Sequence, residues 1–269
     1  MLQIEKTVLN IGTKKPIKLL HITDVHVCEV SPLDEPWQQE LMKERIGVFE
    51  REANFPEKTP EEFFKEAVAL SKELGALLVV TGDVYDVHTK GNLAKFKELI
   101  RGEDMMYSPG GHEYQYQIVR TLEEPVGYGA KMEKQLKAEI DEFDLDFECR
   151  ELGGVNVITA NNALDYYPES TVNRFFETLK NGLPTIVFSH DPVDDKLLNK
   201  HEAYHENVKI TKQEYETSHK MLDALINNPQ VVTTFTGHHH ISREYEISGK
   251  THYLTGGLFK GICRMIEIV

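Results

Sequence analysis

Cysteine is scarce in this chain, with three among 269 residues (Cys28, Cys149, Cys263). They are odd in number and widely separated, which excludes a disulfide framework and matches no zinc spacing. Such a chain suits a reducing compartment, and a cytoplasmic location is expected. Long apolar runs are missing too. None approaches the roughly 20 residues needed to cross a bilayer, and Met1-Leu2-Gln3-Ile4-Glu5-Lys6 has charges where a secretory leader has its apolar centre. No membrane partner is expected. Positive charge is also in deficit: 30 Lys and Arg stand against 44 Asp and Glu, a formal charge of −14 with no basic block. Nucleic-acid affinity comes largely from neutralising phosphates, so this balance argues against a nucleic-acid-coating surface. A small phosphate-bearing ligand is not excluded, because bound dications would invert the local potential. Internal repeats, low-complexity tracts and Gly/Ser linkers are absent as well, and one domain over residues 1–269 is expected.

What is present is ordinary for a globular protein, 40% apolar and 28% charged. Ile17 to Thr23 reads as a strand buried on both faces. A charged stretch follows from Ser31 to Pro60, either an active-site wall or a solvated surface insertion. Thr59-Pro60-Glu61-Glu62 is a helix start, with Thr59 as cap and Glu62 completing a capping box. Phe63, Phe64, Ala67, Leu70 and Leu74 recur at helical spacing until Gly75. Further strands are predicted at Ala76–Thr81, Met105–Ser108, Val155–Ala160, Thr185–Phe188 and Val231–Phe235. Helices are predicted near Leu93–Ile100, Tyr116–Leu122, Lys131–Phe143, Ser170–Leu179 and Lys212–Ile226. The tail from Ser242 alternates like antiparallel strands broken at Ser248-Gly249 and Gly256-Gly257. Phe63, Phe64, Phe175 and Phe176 are expected in the core. Alternating strands and helices ending in strands suggest an α/β fold with mixed sheets.

Five His- and Asp-bearing patches lie along this pattern, mostly at strand ends: Asp24-Val25-His26, Gly82-Asp83-Val84-Tyr85-Asp86, Gly110-Gly111-His112-Glu113, Ser189-His190-Asp191 and Gly237-His238-His239-His240. Ligands in α/β folds gather where strands end. Residues two apart at a strand end point to one side, so Asp24 and His26 are able to share a metal, and His238 and His240 are likewise two apart. His239 faces the other way. Gly82 permits a sharp turn, and Asp83 after it is placed to bridge two ions. Asp86 is placed to cap a local turn. The remaining histidines (His21, His88, His201, His205, His219, His252) read as surface or hydrogen-bonded core residues, with His88 nearest the patches. Cys28 lies close by, but nothing marks it as a nucleophile.

The order Asp-x-His, Gly-Asp-x-x-Asp, Gly-x-His-Glu, His, Gly-His-x-His resembles the calcineurin-like metallophosphoesterase superfamily from Asp24 to His240. The resemblance implies two mixed β-sheets packed face to face and flanked by helices, a four-layer αββα sandwich. It implies two divalent ions, with Mn, Fe and Zn all suited to N/O donors. The first would be held by Asp24, His26, Asp83 and His240. The second would be held by Asp83, His190 and His238, plus an Asn of the third motif. It also implies hydrolysis of a small phosphomonoester or phosphodiester without a covalent intermediate, a metal-bound hydroxide attacking phosphorus in line. His112 would contact the scissile phosphate and protonate the leaving oxygen, with Asp86 fixing its imidazole.

One position departs from the family. Gly111 stands where the motif has Asn, so the second metal loses a side-chain oxygen and is expected to bind more weakly. A water could fill the place, or Asn161, Asn162 or Glu113 could reach in. Two alternatives follow: a metal-binding regulatory protein with little activity, and a nuclease of the same superfamily. The second is suggested by the Tyr of Gly-Asp-x-Tyr-Asp and opposed by the acidic balance. The sequence does not indicate which ester, which metal or what oligomeric state.

Overall fold

The structure is a computed structural model that describes residues 2–55, 57–115, 128–193 and 212–269. Apolar runs, buried on both faces in the central strands, form two mixed sheets. The first sheet holds β1 (Gln3–Leu9), β2 (Ile17–Thr23), β3 (Leu77–Thr81), β4 (Met105–Ser108) and β11 (Ile262–Ile268), in the order β1-β11-β2-β3-β4. The second holds β5 (Phe147–Leu152), β6 (Val155–Ala160), β7 (Thr185–Phe188), β8 (Val231–Thr236), β9 (Arg243–Ile247) and β10 (Lys250–Leu254), in the order β5-β6-β7-β8-β10-β9. The neighbouring pairs β2-β3-β4 and β6-β7-β8 are parallel, so their C-terminal ends line up along one edge of each sheet.

Side-chain alternation divides the core into layers. Leu19, Val79 and Met106 face Val155, Val157, Ile186, Phe188 and Phe235 between the sheets. The opposite faces are covered by helices. Leu20, Ile22, Leu78, Val80 and Tyr107 pack with Phe63 and Phe64 of α2 (Pro60–Leu74) and Phe96 of α3 (Lys90–Ile100). Ile158, Val187 and Val231 pack with Val172 and Phe175 of α5 (Glu169–Leu179) and Met221 and Leu225 of α6 (Lys212–Asn227). This is the helix–sheet–sheet–helix sandwich implied by the motif order. The α2 start is as expected. Thr59 Oγ1 accepts the Glu62 N–H at 3.2 Å, Glu62 accepts the Thr59 N–H at 2.7 Å, and Gly75 ends the helix in the left-handed region at φ 60°.

The structure adds elements and corrects two expectations. β1, β5 and helix α1 (Pro36–Glu52) are additions, and the helix expected at Lys131–Phe143 is α4, Tyr128–Glu139. The helix expected at Tyr116–Leu122 lies outside the described residues. In the tail, β9 and β10 form the antiparallel pair broken at Ser248-Gly249, but β11 leaves the second sheet. It inserts into the first, parallel to β1 and antiparallel to β2. Phe63, Phe64 and Phe175 are fully buried as expected, whereas Phe176 is 37% exposed because it follows Phe175 directly and a helix turns it away from the sheet. Among the described residues no helix is long and apolar enough to cross a membrane.

The two adjacent phenylalanines give a paired test of this layering. Phe175→Ala should cost about 3–5 kcal/mol, as truncation of a buried Phe does, and Phe176→Ala a small fraction of that. Urea unfolding midpoints of the two variants measure the difference, and equal losses would contradict the placement of α5.

Candidate metal centre

The parallel pairing of β2 and β3 continues past both strands. Asp24 N–H donates to the Gly82 carbonyl (3.1 Å), His26 to Asp83 (2.9 Å) and Val27 to Val84 (2.8 Å), and Asp86 returns a bond to Val27 (3.1 Å). The two patches therefore run side by side. They bend through backbone that non-glycine residues seldom adopt: φ is 52° at Asp24, 53° at His26, 51° at Asp83, 71° at His238 and 54° at His240. Tight glycine contacts hold these bends. A Cβ on Gly110 would lie 2.3 Å from Asp83 Oδ1, and one on Gly237 would lie 2.5 Å from Asp24 Oδ2. Buried Glu113 ties the turns together by accepting the N–H groups of Asp83 (2.9 Å), Val84 (2.6 Å) and Gly110 (2.9 Å). Burial and the nearby Asp83 carboxylate push the Glu113 pKa up to about 7.

All six expected metal-binding residues converge at the seam between the sheets. Donor atoms of Asp24, His26 and His240 lie within 4.8 Å of one another, and so do those of Asp83, His190 and His238. Asp83 Oδ2 sits between the groups, 3.0 Å from His190 Nε2 and 4.0 Å from His26 Nε2. His240 Nε2 is 3.3 Å from Asp24 Oδ1 and 3.0 Å from His26 Nε2. The other ring nitrogens are engaged. His190 Nδ1 donates to the Thr81 carbonyl (2.9 Å), His26 Nδ1 faces Asp86 Oδ1 (3.0 Å), and His238 Nδ1 faces Asp191 Oδ1 (3.5 Å).

This arrangement fits a bound cation. With the proton of His190 spent on a carbonyl that can only accept, its Nε2 presents a lone pair to a carboxylate oxygen. Nε2 is fully buried and makes no hydrogen bond there. Two acceptors at that separation repel unless positive charge joins them, either a second proton on His190 or a metal between the atoms. Burial alone would lower the His190 pKa, but Asp83 outweighs it and holds it well above the ordinary value. Burial opposes ionisation of Asp83, yet His190 and His112 keep its carboxyl well below the usual range.

His112 stands at the accessible side, its side chain 24% exposed, with Nε2 3.9 Å from Asp83 Oδ2. Its Nδ1 lies 2.6 Å from the Asp86 carbonyl and 3.2 Å from Asp86 Oδ1. Burial would lower its pKa, but Asp83 and then Asp86 push it up to about 9. Asp86 is buried and serves as a hub rather than a turn cap, since Arg45 of α1 donates to both of its oxygens (2.6 and 3.0 Å).

The Ser31–Pro60 stretch thus forms a wall of the centre, with Phe49 of α1 stacked on His26 at 4.6 Å between ring centroids. Sequence reasoning missed Arg45 and Phe49. Glu35-Pro36 with Gln38 three residues on is a helix-start signature that would have found the helix, though nothing would have singled out Arg45. Gly111 is in the right-handed helical region (φ −65°, ψ −32°) and offers no ligand. The candidates to replace it are occupied elsewhere. Glu113 binds backbone, Asn161 Oδ1 accepts the Ala163 N–H (3.0 Å), and Asn162 Oδ1 accepts those of His190 and Asp191 (3.0 Å each).

The remaining histidines are accounted for where the structure describes them. His21 lies between Thr81 and Thr255 hydroxyls, His88 between Tyr85 and Glu139, and His252 against Thr234, all buried. His219 packs on Tyr215, His239 is exposed, and His201 and His205 lie outside the described residues. Burial and Asp86 raise the Cys28 pKa well above its ordinary value, so its thiol stays protonated.

Residues 17–242 match the model of the calcineurin-like phosphoesterase family, and the chain belongs to that family. Among solved structures, a chain described as a 5'-nucleotidase of Staphylococcus aureus aligns at 11% identity and TM-score 0.45, covering 90% of this chain and 49% of that one. This chain therefore spans about half the length of that protein. A phosphopantetheinyl hydrolase of Mycobacterium tuberculosis aligns at 14% identity and TM-score 0.42, covering 94% and 90% of the two chains. An archaeal phosphodiesterase aligns at 10% identity and TM-score 0.36, covering 90% and 86%. No curated protein matches the sequence.

Because Asp83 lies against the Gly110 turn, Gly110→Ala should displace its carboxylate and abolish binding at both donor groups while circular dichroism stays close to that of the parent. Elemental analysis after gel filtration reads this out. Normal metal content in the variant would contradict the packing of Asp83.

Proposed function

We propose that the protein hydrolyses a small phosphomonoester or phosphodiester at a dinuclear metal centre. The observation that carries this reading is the position of Asp83 Oδ2 between two separate His/Asp donor groups. Asp24, His26, Asp83 and His240 would hold the first ion, and Asp83, His190 and His238 the second. Divalent ions of the Mn, Fe or Zn type supply charge for the phosphoryl oxygens there and acidify the attacking water. The chain does the rest. Nδ1 of His112 is held by Asp86, so its Nε2 is the nitrogen that faces the centre, and the raised proton affinity keeps a proton on it at neutral pH. His112 donates that proton to the leaving oxygen, and Asp86 fixes the ring. No side-chain nucleophile is required.

A second reading, a metal-binding module with little turnover, draws on Gly111. The second ion would have three protein ligands and an open position there, and a water completing that shell would be easily exchanged. Metal loading decides between the readings.

His112→Ala should leave metal content near normal and lower turnover by about 10²–10⁴-fold, the usual share of a general acid, whereas Asp83→Ala should empty both sites. Full activity of His112→Ala on every ester tried would remove its catalytic assignment. Gly111→Asn should slow loss of the second ion during dialysis against chelator and raise hydrolysis, since the backbone at residue 111 suits any side chain. Metal stoichiometry beside assays on one monoester and one diester measures both effects, and two equally tight ions in the parent would exclude the weakened second site.

A further inference from the structure

Helix α1 brings one cation into the buried side of the centre. Arg45 and Phe49 are four residues apart and so share a face of the helix. The guanidinium lies over the Phe49 ring at 4.9 Å from its centroid, and that ring lies on His26. From there Arg45 Nε reaches Asp86 Oδ2 at 2.6 Å and Nη2 reaches Asp86 Oδ1 at 3.0 Å. The same Oδ1 is 3.0 Å from His26 Nδ1 and 3.2 Å from His112 Nδ1. One carboxylate oxygen therefore orients both a ring of the first metal-binding group and the ring assigned to proton donation.

A carboxylate whose Oδ1 is shared in this way has its plane set by whatever holds Oδ2, and the described contact on Oδ2 is Arg45. Two parallel bonds from a planar fork fix both the position and the rotation of a carboxylate. A lysine ammonium, being a point charge, fixes position alone.

We propose that Arg45 is a positioning residue for the reaction. It sets the plane of Asp86 and so aims His112 at the leaving oxygen, without itself touching substrate or metal. The proposal rests on the proton-donor role given to His112 above. It predicts a selective defect. Esters whose leaving group needs a proton should suffer when His112 is misaimed, and esters whose leaving group departs as a stable anion should not.

The test uses full-length protein at saturating metal, so that loosening of His26 is masked, with glycerol phosphate and p-nitrophenyl phosphate as substrates. Arg45→Met should lower kcat for glycerol phosphate by roughly 10–100-fold, part of the general-acid contribution, and change kcat for p-nitrophenyl phosphate little. KM for both should stay near the parent values. Arg45→Lys should show the same selective loss, and it keeps the test available if the methionine variant does not fold. Equal loss of kcat on both esters would overturn the proposal, as would a rise in KM for both, which would mean direct contact with phosphate. Full activity of Arg45→Lys would also overturn it, because charge alone would then suffice. Absence of turnover by the metal-loaded parent would refute the phosphoesterase reading and this proposal with it. A working parent with unselective variants would refute this proposal alone.

Discussion

Everything in the centre depends on how closely the Asp83 bend lies against the Gly110 turn. Gly82, Gly110 and Asp83 are packed so tightly that a methyl group on either glycine would penetrate its neighbour. Glu113 then pins the arrangement with three backbone N–H groups. The contact joins the ends of β3 and β4, and the His112 N–H donates to Asp83 Oδ1 at 2.9 Å, leaving Oδ2 to face the imidazoles. The two oxygens of Asp83 thus divide their work: one holds the His112 loop, the other looks into the seam. The second sheet is attached through the same region, by His190 Nδ1 to the Thr81 carbonyl and by the His238 N–H to the Asp24 carboxylate.

Such a seam is costly without a cation. Left-handed backbone at a non-glycine residue costs of order 1–3 kcal/mol where it is held against preference, and five candidate ligands are in that state. Buried Asp24, Asp83 and Asp86 add mutual repulsion, relieved at Asp86 by Arg45 and at the other two by nearby protons or metals. Metal binding and folding stability are therefore coupled here. A ligand that binds only the folded form stabilises it by mass action, and the unfolded chain does not gather these donors from Asp24 to His240. The local excess of carboxylates also gives the chain's acidic balance a specific place to act, in holding dications rather than in meeting a polyanion.

The central strands and the site were legible in the sequence for one reason. Strands buried on both faces must be continuous apolar runs, so β2, β3, β7 and β8 announced themselves, and the residues that follow them were marked by position alone. Edge strands carry no such signature. β1 exposes Ile4, Lys6 and Val8, and β5 reads Phe-Glu-Cys-Arg-Glu-Leu; both pair on one side only and need no apolar run. The transfer of β11 to the first sheet was also invisible, because its register joins Gln3 to Ile262, a pairing that local pattern cannot specify. Helix α1 buries Met42 and Phe49, too sparse a stripe to be read as a period. Arg45 was hidden for the same reason, since its importance comes from what it meets across the fold.

Gly111 shows that the third motif has two separable roles. The first belongs to the backbone. A right-handed turn at residue 111, closed by the Tyr114 N–H on the Gly111 carbonyl at 3.2 Å, presents the His112 N–H to Asp83 and its ring to Asp86. The second belongs to the side chain, which in the family supplies an oxygen to the second ion. Glycine fills the backbone role unchanged, because φ −65° is open to every residue and the bonds that hold the turn use no side chain at residue 111. It cannot fill the other. A glycine here therefore leaves the first donor group, Asp83 and the His112–Asp86 contact in place, and under the proposed dinuclear reading it would leave one coordination position open at the second ion. An open position beside a catalytic metal is also where a substrate oxygen or water binds. Under that reading the glycine would trade grip on the second ion for access to it, without disturbing the backbone that carries His112.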